Sequence, residues 1–527
     1  MDVSQYLDEN CEYNVGDGGE CPFMVFPCLA LNPRYNVVAS KINVTTTSPV
    51  KICNVPSGIS EVIIDGEILP NVVSAYTFDT MGEHTVEFKL QDETKIVDGL
   101  FASCSALTSV EIPKSIETIG SGAFASCNNL ENVDLPKSLT LIGGGAFYSC
   151  PKITSIDLPT TNPLTIESGA FNGCNISTLV VPNNVTFAPN QSGQFSYNPI
   201  KTLVWNTNGV YNNWPILAYV ANGQLETLVY GDDVTDIKPQ SVAGSTKLKN
   251  VTIGSGVTSI GNQAFVACTG LTDITIPDNV TSMGNNVFGN CTSLSGITIG
   301  SGITTINAQI FSGCTSLTSI TIPDSITTIE SAAFANCNIK SLTIGSGVTA
   351  IGSSAFYGNY FLEELNYNAR VPLSSSFMPN GSFKTVVIGD AVPAIADSVF
   401  NRCVSLTSVT IGNSVTIIGS YAFLQCHLNG YLNIPNSVTY IGSNAFNGCA
   451  YLTDIIIGTG ITSIDGMAFN NCGGLTEITV NAVTPPTLGN YVFANTNECP
   501  IYVPAESVNA YKTASGWSEY ADRIHSI

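Results

Sequence analysis

Thiols are the chemically reactive groups with the most regular placement in this sequence. Twelve of its seventeen cysteines stand three residues after an anchor residue that is always phenylalanine. The twelve are Cys104, Cys127, Cys150, Cys174, Cys268, Cys291, Cys314, Cys337, Cys403, Cys426, Cys449 and Cys472. A thiolate can attack an electrophile, form a disulfide or bind a metal ion. Because the placement is regular, one explanation must serve all twelve.

We favour a structural explanation for these thiols. Asparagine takes the cysteine position at Asn198, Asn222, Asn359 and Asn380. Thiol and amide can both donate a hydrogen bond to a carbonyl oxygen. We therefore predict a stacked Cys/Asn ladder that satisfies backbone groups in tight turns.

Disulfides or a metal site are the alternative. Stacked cysteines would have parallel Cβ vectors, which suit a disulfide poorly. The sequence has no C-x-x-C pair and only three histidines, far apart, so we predict no metal and no cofactor. Cys11, Cys21 and Cys28 could pair if the chain is exported, which leaves their redox state open.

A column of carboxylates is the first binding candidate. Glu111, Asp134 and Asp157 occupy the same exposed strand position in three successive repeats, and later repeats carry valine and then mainly threonine there. Stacked repeats would bring these carboxylates side by side, where they repel one another. They are either solvated charges or a contact for a cation or basic partner, although no loop has calcium-site spacing.

The second binding candidate lies within residues 195–245, where the cysteines disappear. Its residues are Trp205, Asn206, Asn208, Tyr211, Asn212 and Trp214. Aromatic faces beside amides suit a carbohydrate or peptide ligand. The alternative is decay of the repeat, with the aromatic side chains filling a wider core. No arrangement of base and nucleophile has a fixed place in the repeat, so we predict that the protein is not an enzyme.

The elements that position these residues belong to an internal repeat. Residues 317–337 read L-T-S-I-T-I-P-D-S-I-T-T-I-E-S-A-A-F-A-N-C, and eighteen such units follow one another at spacings of 21 to 24 residues. Alternating Ile320 and Ile322 predict a half-buried strand, Pro323 ends it, and Phe334 anchors a compact return. A period of this length predicts a stacked solenoid. The fold class is therefore a β-rich solenoid with a parallel sheet.

The chain ends are predicted to cover the solenoid. We divide the chain into residues 1–49, without an assigned role; 50–98, a small β-sandwich-like cap; 99–504, the repeats; and 505–527, a C-terminal cap. Asp65-Gly66 is a hairpin signal within the first cap. Ser507 is a candidate N-cap for a short helix, and Trp517 is expected to plug the last repeat.

Composition limits the partners. The net charge is −22, with only 18 Lys and Arg residues, which argues against nucleic acid. No apolar run is long enough for a transmembrane helix. The N-terminal residues lack the pattern of a secretory signal. Either a leader was removed or the protein does not use that route.

The repeat resembles the leucine-rich repeats of the BspA-like type. The resemblance rests on the phrases beginning at Leu271, Leu317 and Leu406 and covers about residues 100–504. Members of that family are found mostly on bacterial surfaces, and characterised ones are mostly implicated in adhesion. The resemblance implies a right-handed superhelix of about 18 repeats at the cell surface.

We therefore expect a non-enzymatic binding or adhesion protein that presents an extended surface. Its partner would be a host or bacterial surface protein or a glycan, with no membrane insertion. The location would be extracellular or at the cell surface if a leader was removed. The alternative is a virion or other assembly component that uses the solenoid as a fibre or spacer.

Overall fold

The repeats form a parallel β-solenoid of about 18 turns of about 23 residues, as predicted. The computed structural model describes residues 37–188, 193–208, 223–376, 378 and 382–527. Each turn contributes a first strand, a second short strand and a return without regular secondary structure. In one turn, Ser319–Ile322 is the first strand and Thr328–Ile329 the second, and Phe334 lies in the return.

The first strands of successive turns lie one after another and pair in parallel in four separate groups after the strand Asn132–Asp134. After β8 (Leu107–Glu111) and β10 (Asn132–Asp134) they are Thr178–Val181, Thr202–Trp205, Thr227–Tyr230, Asn250–Ile253, Asp273–Ile276, Gly296–Ile299, Ser319–Ile322, Ser341–Ile344, Glu364–Tyr367, Thr385–Ile388, Ser408–Ile411, Gly430–Ile434, Leu452–Ile457, Glu477–Val480 and Ile501–Val503. Equivalent residues are in register, so Ile320 pairs with Leu342 and Thr321 with Thr343. Buried and exposed side chains alternate along each strand because the side-chain period of a strand is two residues.

The second strands form their own parallel ladders. They begin with β7 (Lys95–Ile96) and β9 (Thr118–Ile119) and continue as Leu141–Ile142, Leu164–Ile166, Val185–Phe187, Asp236–Ile237, Ser259–Ile260, Ser282–Met283, Thr305–Ile306, Thr328–Ile329, Ala350–Ile351, Ala394–Ile395, Ile417–Ile418, Tyr440–Ile441, Ser463–Ile464 and Thr487–Leu488. The final isoleucine or equivalent apolar residue of these pairs usually points into the core.

Anchor phenylalanines form columns through the interior. Consecutive rings lie 5.1 to 5.7 Å apart between centroids, with planes within 20° of parallel. This separation follows the strand spacing of about 4.8 Å. The predicted anchors Tyr219 and Phe377 lie outside the described residues. The column of stacked rings is interrupted at Val242, which has no ring. The buried ring of Tyr230 instead contacts Phe265 edge-on, at 6.3 Å between centroids.

The returns are a third set of inter-turn hydrogen bonds, which the sequence pattern did not reveal. Phe311 and Gly313 donate their backbone N–H groups to the carbonyls of Ala333 and Ala335 in the next turn, each at 2.9 Å. Two residues of most returns have positive φ, for example Ala332 at 55° and Asn336 at 56°. Every second N–H group of a return therefore bonds to the next turn, whereas the N–H of Ser312 bonds within its own turn, to the carbonyl of Gln309 at 3.0 Å.

The N-terminal cap is a β structure that joins the first turns. Its strands are β1 (Val37–Val44), β2 (Val50–Lys51), β3 (Ile59–Ile64), β4 (Glu67–Ile68), β5 (Ala75–Tyr76) and β6 (Gly82–Leu90). The main sheet has the order β10-β8-β1-β6-β3-β4, and β2 pairs with β5 in a separate small sheet. The cap therefore covers the edge of the solenoid by hydrogen bonding to it.

The turn at Asp65-Gly66 and the position of β1 test two predictions about the cap. Asp65 and Gly66 form the two-residue turn between β3 and β4, with φ of 49° and 89°, so the predicted hairpin is confirmed. The strand β1 belongs to the cap although it lies within residues 1–49, so the cap begins earlier than predicted. Its place between β6 and β8 explains why: it is the strand that links the antiparallel cap to the repeats.

The C-terminal cap contains a short helix, as predicted, and ends in the strand Ile524–Ser526, which pairs in parallel with Ile501–Val503. It contains the helix α1 (Val508–Thr513) and two 3₁₀ segments, Ala505–Ser507 and Trp517–Arg523. Trp517 is fully buried, with its ring 5.8 Å from that of Phe493, so it covers the last anchor. Ser507 occupies the N-cap position of α1, as predicted, but its hydroxyl donates to the carbonyl of Val483 at 2.7 Å and makes no capping bond.

We expect Phe311→Ala to lower the free energy of unfolding by about 3–5 kcal/mol, since it empties a fully buried site between two stacked rings. Phe361→Ala is the control, because that ring is 59% exposed. Chemical denaturation measures both. A loss below about 1 kcal/mol for Phe311→Ala would contradict the core role of the anchor.

A pair of glycine substitutions tests the strain in the returns. A Cβ at Gly244 or Gly473 would meet no atom within 4 Å, but only Gly244 has a positive φ, of 74°. Gly244→Ala should therefore cost about 1–2 kcal/mol through backbone strain alone. Gly473→Ala should be neutral or stabilise by up to about 1 kcal/mol. Equal effects of the two substitutions on unfolding would contradict this account.

Candidate binding surface

The cysteine column lies inside the solenoid. In ten turns the thiol lies 3.0 to 3.3 Å from the carbonyl oxygen of the anchor one turn earlier. Cys314, for example, donates to Phe288, and Cys337 to Phe311, both at 3.2 Å. Cys104 and Cys403 each begin a run of cysteines; Cys104 is buried and Cys403 partly buried. Because burial raises the pKa of these thiols, it keeps them protonated as donors.

Asparagine extends this column in two turns. Asn198 donates from Nδ2 to the carbonyls of Phe171 and Phe195 at 2.7 and 2.9 Å, and its Oδ1 accepts from the N–H of Ile176 at 2.9 Å. Asn359 makes the equivalent bonds. In both cases the preceding turn has one residue fewer between its cysteine and the next apolar residue. The amide thus supplies an acceptor that a thiol would provide only weakly.

The exposed face of the first strands carries the acidic column. Glu111 and Asp134 are both exposed and paired in register on β8 and β10. Asp157 is exposed in the next turn, in a segment without strand pairing. The column continues through Val180, Val204, Val229 and Thr252, again in register. Among the described residues, no group of three His, Cys, Asp or Glu side chains could hold a metal ion.

The structure places one residue of the second binding candidate in the core. Trp205 is only 7% exposed, and its ring stacks on Phe187 at 5.7 Å with planes 6° apart. It is therefore a core residue and has little surface for a ligand. Tyr230 is also buried, with its hydroxyl 2.8 Å from that of Ser241. The ring of Tyr230 fills the core beside Val242, where the regular aromatic anchor is missing.

Near Trp205, the side-chain amide of Asn208 bonds to the next turn. Asn208 donates from Nδ2 to the carbonyl of Asp233 at 2.6 Å and accepts from the N–H of Thr235 at 2.8 Å. Asn206 is partly buried, and its backbone N–H bonds to Val181 at 2.9 Å. Tyr211, Asn212 and Trp214 lie outside the described residues.

Carboxylates at the end of the first strands connect consecutive turns. Asp278 accepts from both the N–H and the hydroxyl of Ser301, at 2.7 and 3.0 Å. Asp232 does the same for Ser255. These hydrogen bonds lower the pKa of both carboxyl groups. The signal was present in the sequence as an aspartate one repeat before a G-S-G phrase, and it marks a structural contact.

A group of exposed aromatic side chains lies near residue 360. Tyr357, Tyr360 and Phe361 are 54%, 51% and 59% exposed, and the two tyrosine rings meet edge-on at 6.3 Å. Tyr367, close by in sequence, is instead fully buried. Exposure of three neighbouring rings offers an amphipathic contact area.

The fold defines a leucine-rich repeat protein, and comparison with known families agrees. A model of the BspA type leucine rich repeat region matches in six copies, over residues 71–201, 235–363 and 373–499. The chain therefore belongs to the BspA-type leucine-rich repeat family. No curated protein sequence matches it significantly.

Solved structures with similarity to the chain include three bacterial proteins. A leucine-rich repeat protein from Bacteroides ovatus is 20% identical, with 86% of this chain and 90% of that one covered and a TM-score of 0.33. A leucine rich cell surface protein from Faecalibacterium prausnitzii is 27% identical, with coverage of 58% and 88% and a TM-score of 0.31. The pneumococcal vaccine antigen PcpA is 17% identical, with coverage of 71% and 94% and a TM-score of 0.29.

The thiol column predicts a loss of stability at alkaline pH. Burial raises the pKa of Cys291 from an ordinary value of 9.0 to about 12. The native state therefore holds this proton more tightly than the unfolded chain does. Its contribution to the free energy of unfolding is complete below about pH 9 and decreases as the pH rises toward about 12.

Denaturant unfolding between pH 7 and pH 11 checks this prediction. Cys291→Ala removes one of the titrating thiols, so its stability should fall less steeply with pH than that of the wild type. Titrating lysines and tyrosines are common to both proteins and cancel in the comparison. Parallel stability curves would show that the native state does not raise the pKa of this thiol.

Proposed function

We propose that this BspA-type leucine-rich repeat protein is a non-enzymatic binding or adhesion protein. Its contact surface is the exposed face of the first strands, and its partner is a surface protein or glycan of a host or another bacterium. The observation that carries the proposal is that threonine hydroxyls on that face have no hydrogen-bond partner among the described residues.

Threonines in different columns have different hydrogen-bonding roles. On the flank of the solenoid, Thr327 and Thr439 donate their hydroxyls to backbone carbonyls one turn earlier, at 3.1 and 3.2 Å. On the strand face, the hydroxyls of Thr275, Thr298 and Thr321 have no hydrogen-bond partner among the described residues. The face thus retains donors and acceptors for another molecule.

The regular spacing of this face supports multivalent contact. Register places equivalent side chains about 4.8 Å apart in neighbouring turns. The column from Thr321 continues through Thr343, Asn366, Val387 and Thr410. Individually weak contacts to a repetitive ligand can sum to a useful avidity along such a column.

We place the protein outside the cell or at the cell surface. Family membership supports this location, since the resemblance that the repeat carries is to surface proteins. In the described part of the chain, no helix is long and apolar enough to cross a membrane. The comparisons give no support to the alternative of a virion or assembly component.

A triple variant tests the strand face. Thr275→Arg, Thr321→Arg and Thr410→Arg together place bulky charged side chains at three points along the column. If the face makes the contact, binding to the surface that captures the wild type should weaken by about tenfold or more, equivalent to about 1.4 kcal/mol. The measurement is binding to immobilised mucin, fibronectin, laminin and collagen.

The matched control adds the same three charges beside the returns, as Ser293→Arg, Ser316→Arg and Ser405→Arg. It should bind like the wild type. Equal weakening of both variants would indicate a charge effect and would contradict a role for the strand face, as would wild-type affinity of the face variant. Failure of the wild type to bind any of the four surfaces would count against adhesion to them.

A further inference from the structure

We infer that a recess where the N-terminal cap meets the first turns binds an uncharged oligosaccharide. The inference rests on the proposed binding function, to which it adds a ligand class and a second place on the molecule. Four properties of the recess carry it: its volume, the register of its floor, its charge balance and its exposed amides.

The recess has a volume of about 780 Å³. This value is within the usual range of roughly 300–1,000 Å³ for small-ligand sites. Most such sites are apolar, but the lining here is almost entirely amides, hydroxyls and charged groups, with Pro49, Val50 and Ala106 as the apolar members. A protein partner would require more apolar area at the centre of its contact. A polyhydroxylated ligand suits this lining better.

The floor of the recess is the sheet shared by the cap and the repeats. Lys41 on β1 is in register with Ser109 on β8, and Ser109 is in register with Asn132 on β10. These three side chains form a row on the exposed face. The wall on the cap side comes from the segment between β1 and β2, which includes Thr45 and Thr46.

The lining of the recess holds three lysines and two glutamates, so two ion pairs form and a net charge of +1 remains. Lys41 pairs with Glu83 and Lys152 with Glu131, each at 2.9 Å. Lys51 donates to the carbonyl of Ala102 at 2.7 Å.

Beside the floor row lies an acidic row. Glu111 stands two residues after Ser109 on the same strand face, in register with Asp134. These carboxylates would repel a polyanion, so the observations favour an uncharged ligand over an acidic one.

Amides in the recess have hydrogen-bonding capacity to spare. Among the described residues, the side chains of Asn43 and Asn132 have no hydrogen-bond partner, although both line the recess. By contrast, Asn129 donates to the carbonyl of Ser105 at 2.8 Å. An amide both donates and accepts, and so does a sugar hydroxyl. Asn43 and Asn132 are therefore the residues that we assign to ligand recognition.

The test measures binding of neutral oligosaccharides to the full chain by calorimetry. The probes are chitotriose, cellotriose, maltotriose and lacto-N-tetraose, together with a sialylated form of the last. At least one neutral probe should bind. The double variant Asn43→Ala with Asn132→Ala should weaken that binding by about tenfold, as expected for the loss of two hydrogen bonds. Sialylation should not improve binding.

A second pair of variants separates the recess from the rest of the strand face. Ser109→Tyr fills the recess and should abolish binding, whereas Ser319→Tyr places the same side chain at the equivalent strand position far along the repeats and should have no effect. Asn250→Ala is the matching control for Asn132→Ala. Thermal melting of every variant verifies that the fold is intact.

The inference is overturned if no neutral probe binds, if the sialylated probe binds better than its parent, or if a folded Ser109→Tyr variant binds like the wild type. The proposed function fails differently. Its readout is capture by mucin or matrix proteins and depends on Thr275, Thr321 and Thr410. If capture depends on these threonines but no neutral oligosaccharide binds, the strand-face function is supported and the recess inference is contradicted.

Discussion

Hydrogen bonding between backbones of successive turns is the constraint on which this structure depends. Parallel strands pair at about 4.8 Å, and a stack built on that pairing places each side chain over its equivalent in the neighbouring turn. Side chains in a column must therefore pack favourably against the same side chain in the neighbouring turn. Phenylalanine meets this condition by offset stacking, and cysteine meets it by donating to a carbonyl of the preceding turn.

Columns that face inward and columns that face outward solve this problem differently. Inside, Phe, Cys and the terminal isoleucines of the strands fill the space and satisfy the returns. On the flank, threonine hydroxyls and aspartate carboxylates bond to the adjacent turn. On the strand face, ladder hydrogen bonds already satisfy the backbone, so the side chains need no structural partner. Substitutions on this face therefore break no backbone hydrogen bond between turns, and only cross-strand side-chain contacts change.

Departures from the regular columns show how the fold adapts to irregular turns. Where Val242 replaces the aromatic anchor, Tyr230 fills the core from the first strand. Where a turn is one residue shorter, the next turn has Asn359 in place of cysteine, and its side-chain oxygen accepts from the buried N–H of Ile339. At the N-terminus, β1 continues the sheet of the repeats into an antiparallel cap. Each departure keeps the backbone groups paired.

The sequence by itself determined the solenoid, its period, the buried anchor positions and the exposed strand column that holds Glu111 and Asp134, because a repeated pattern of apolar and polar residues has one consistent stacking. It also gave the plug formed by Trp517. The sequence did not settle whether Trp205 lies in the core or contacts a ligand, because an aromatic residue suits both roles. The structure shows its ring stacked on that of Phe187, which places it in the core. The sequence could not show the hydrogen-bonded returns or the recess beside Ser109 and Asn132. Those features arise where segments distant in sequence meet, and only the tertiary structure specifies that geometry.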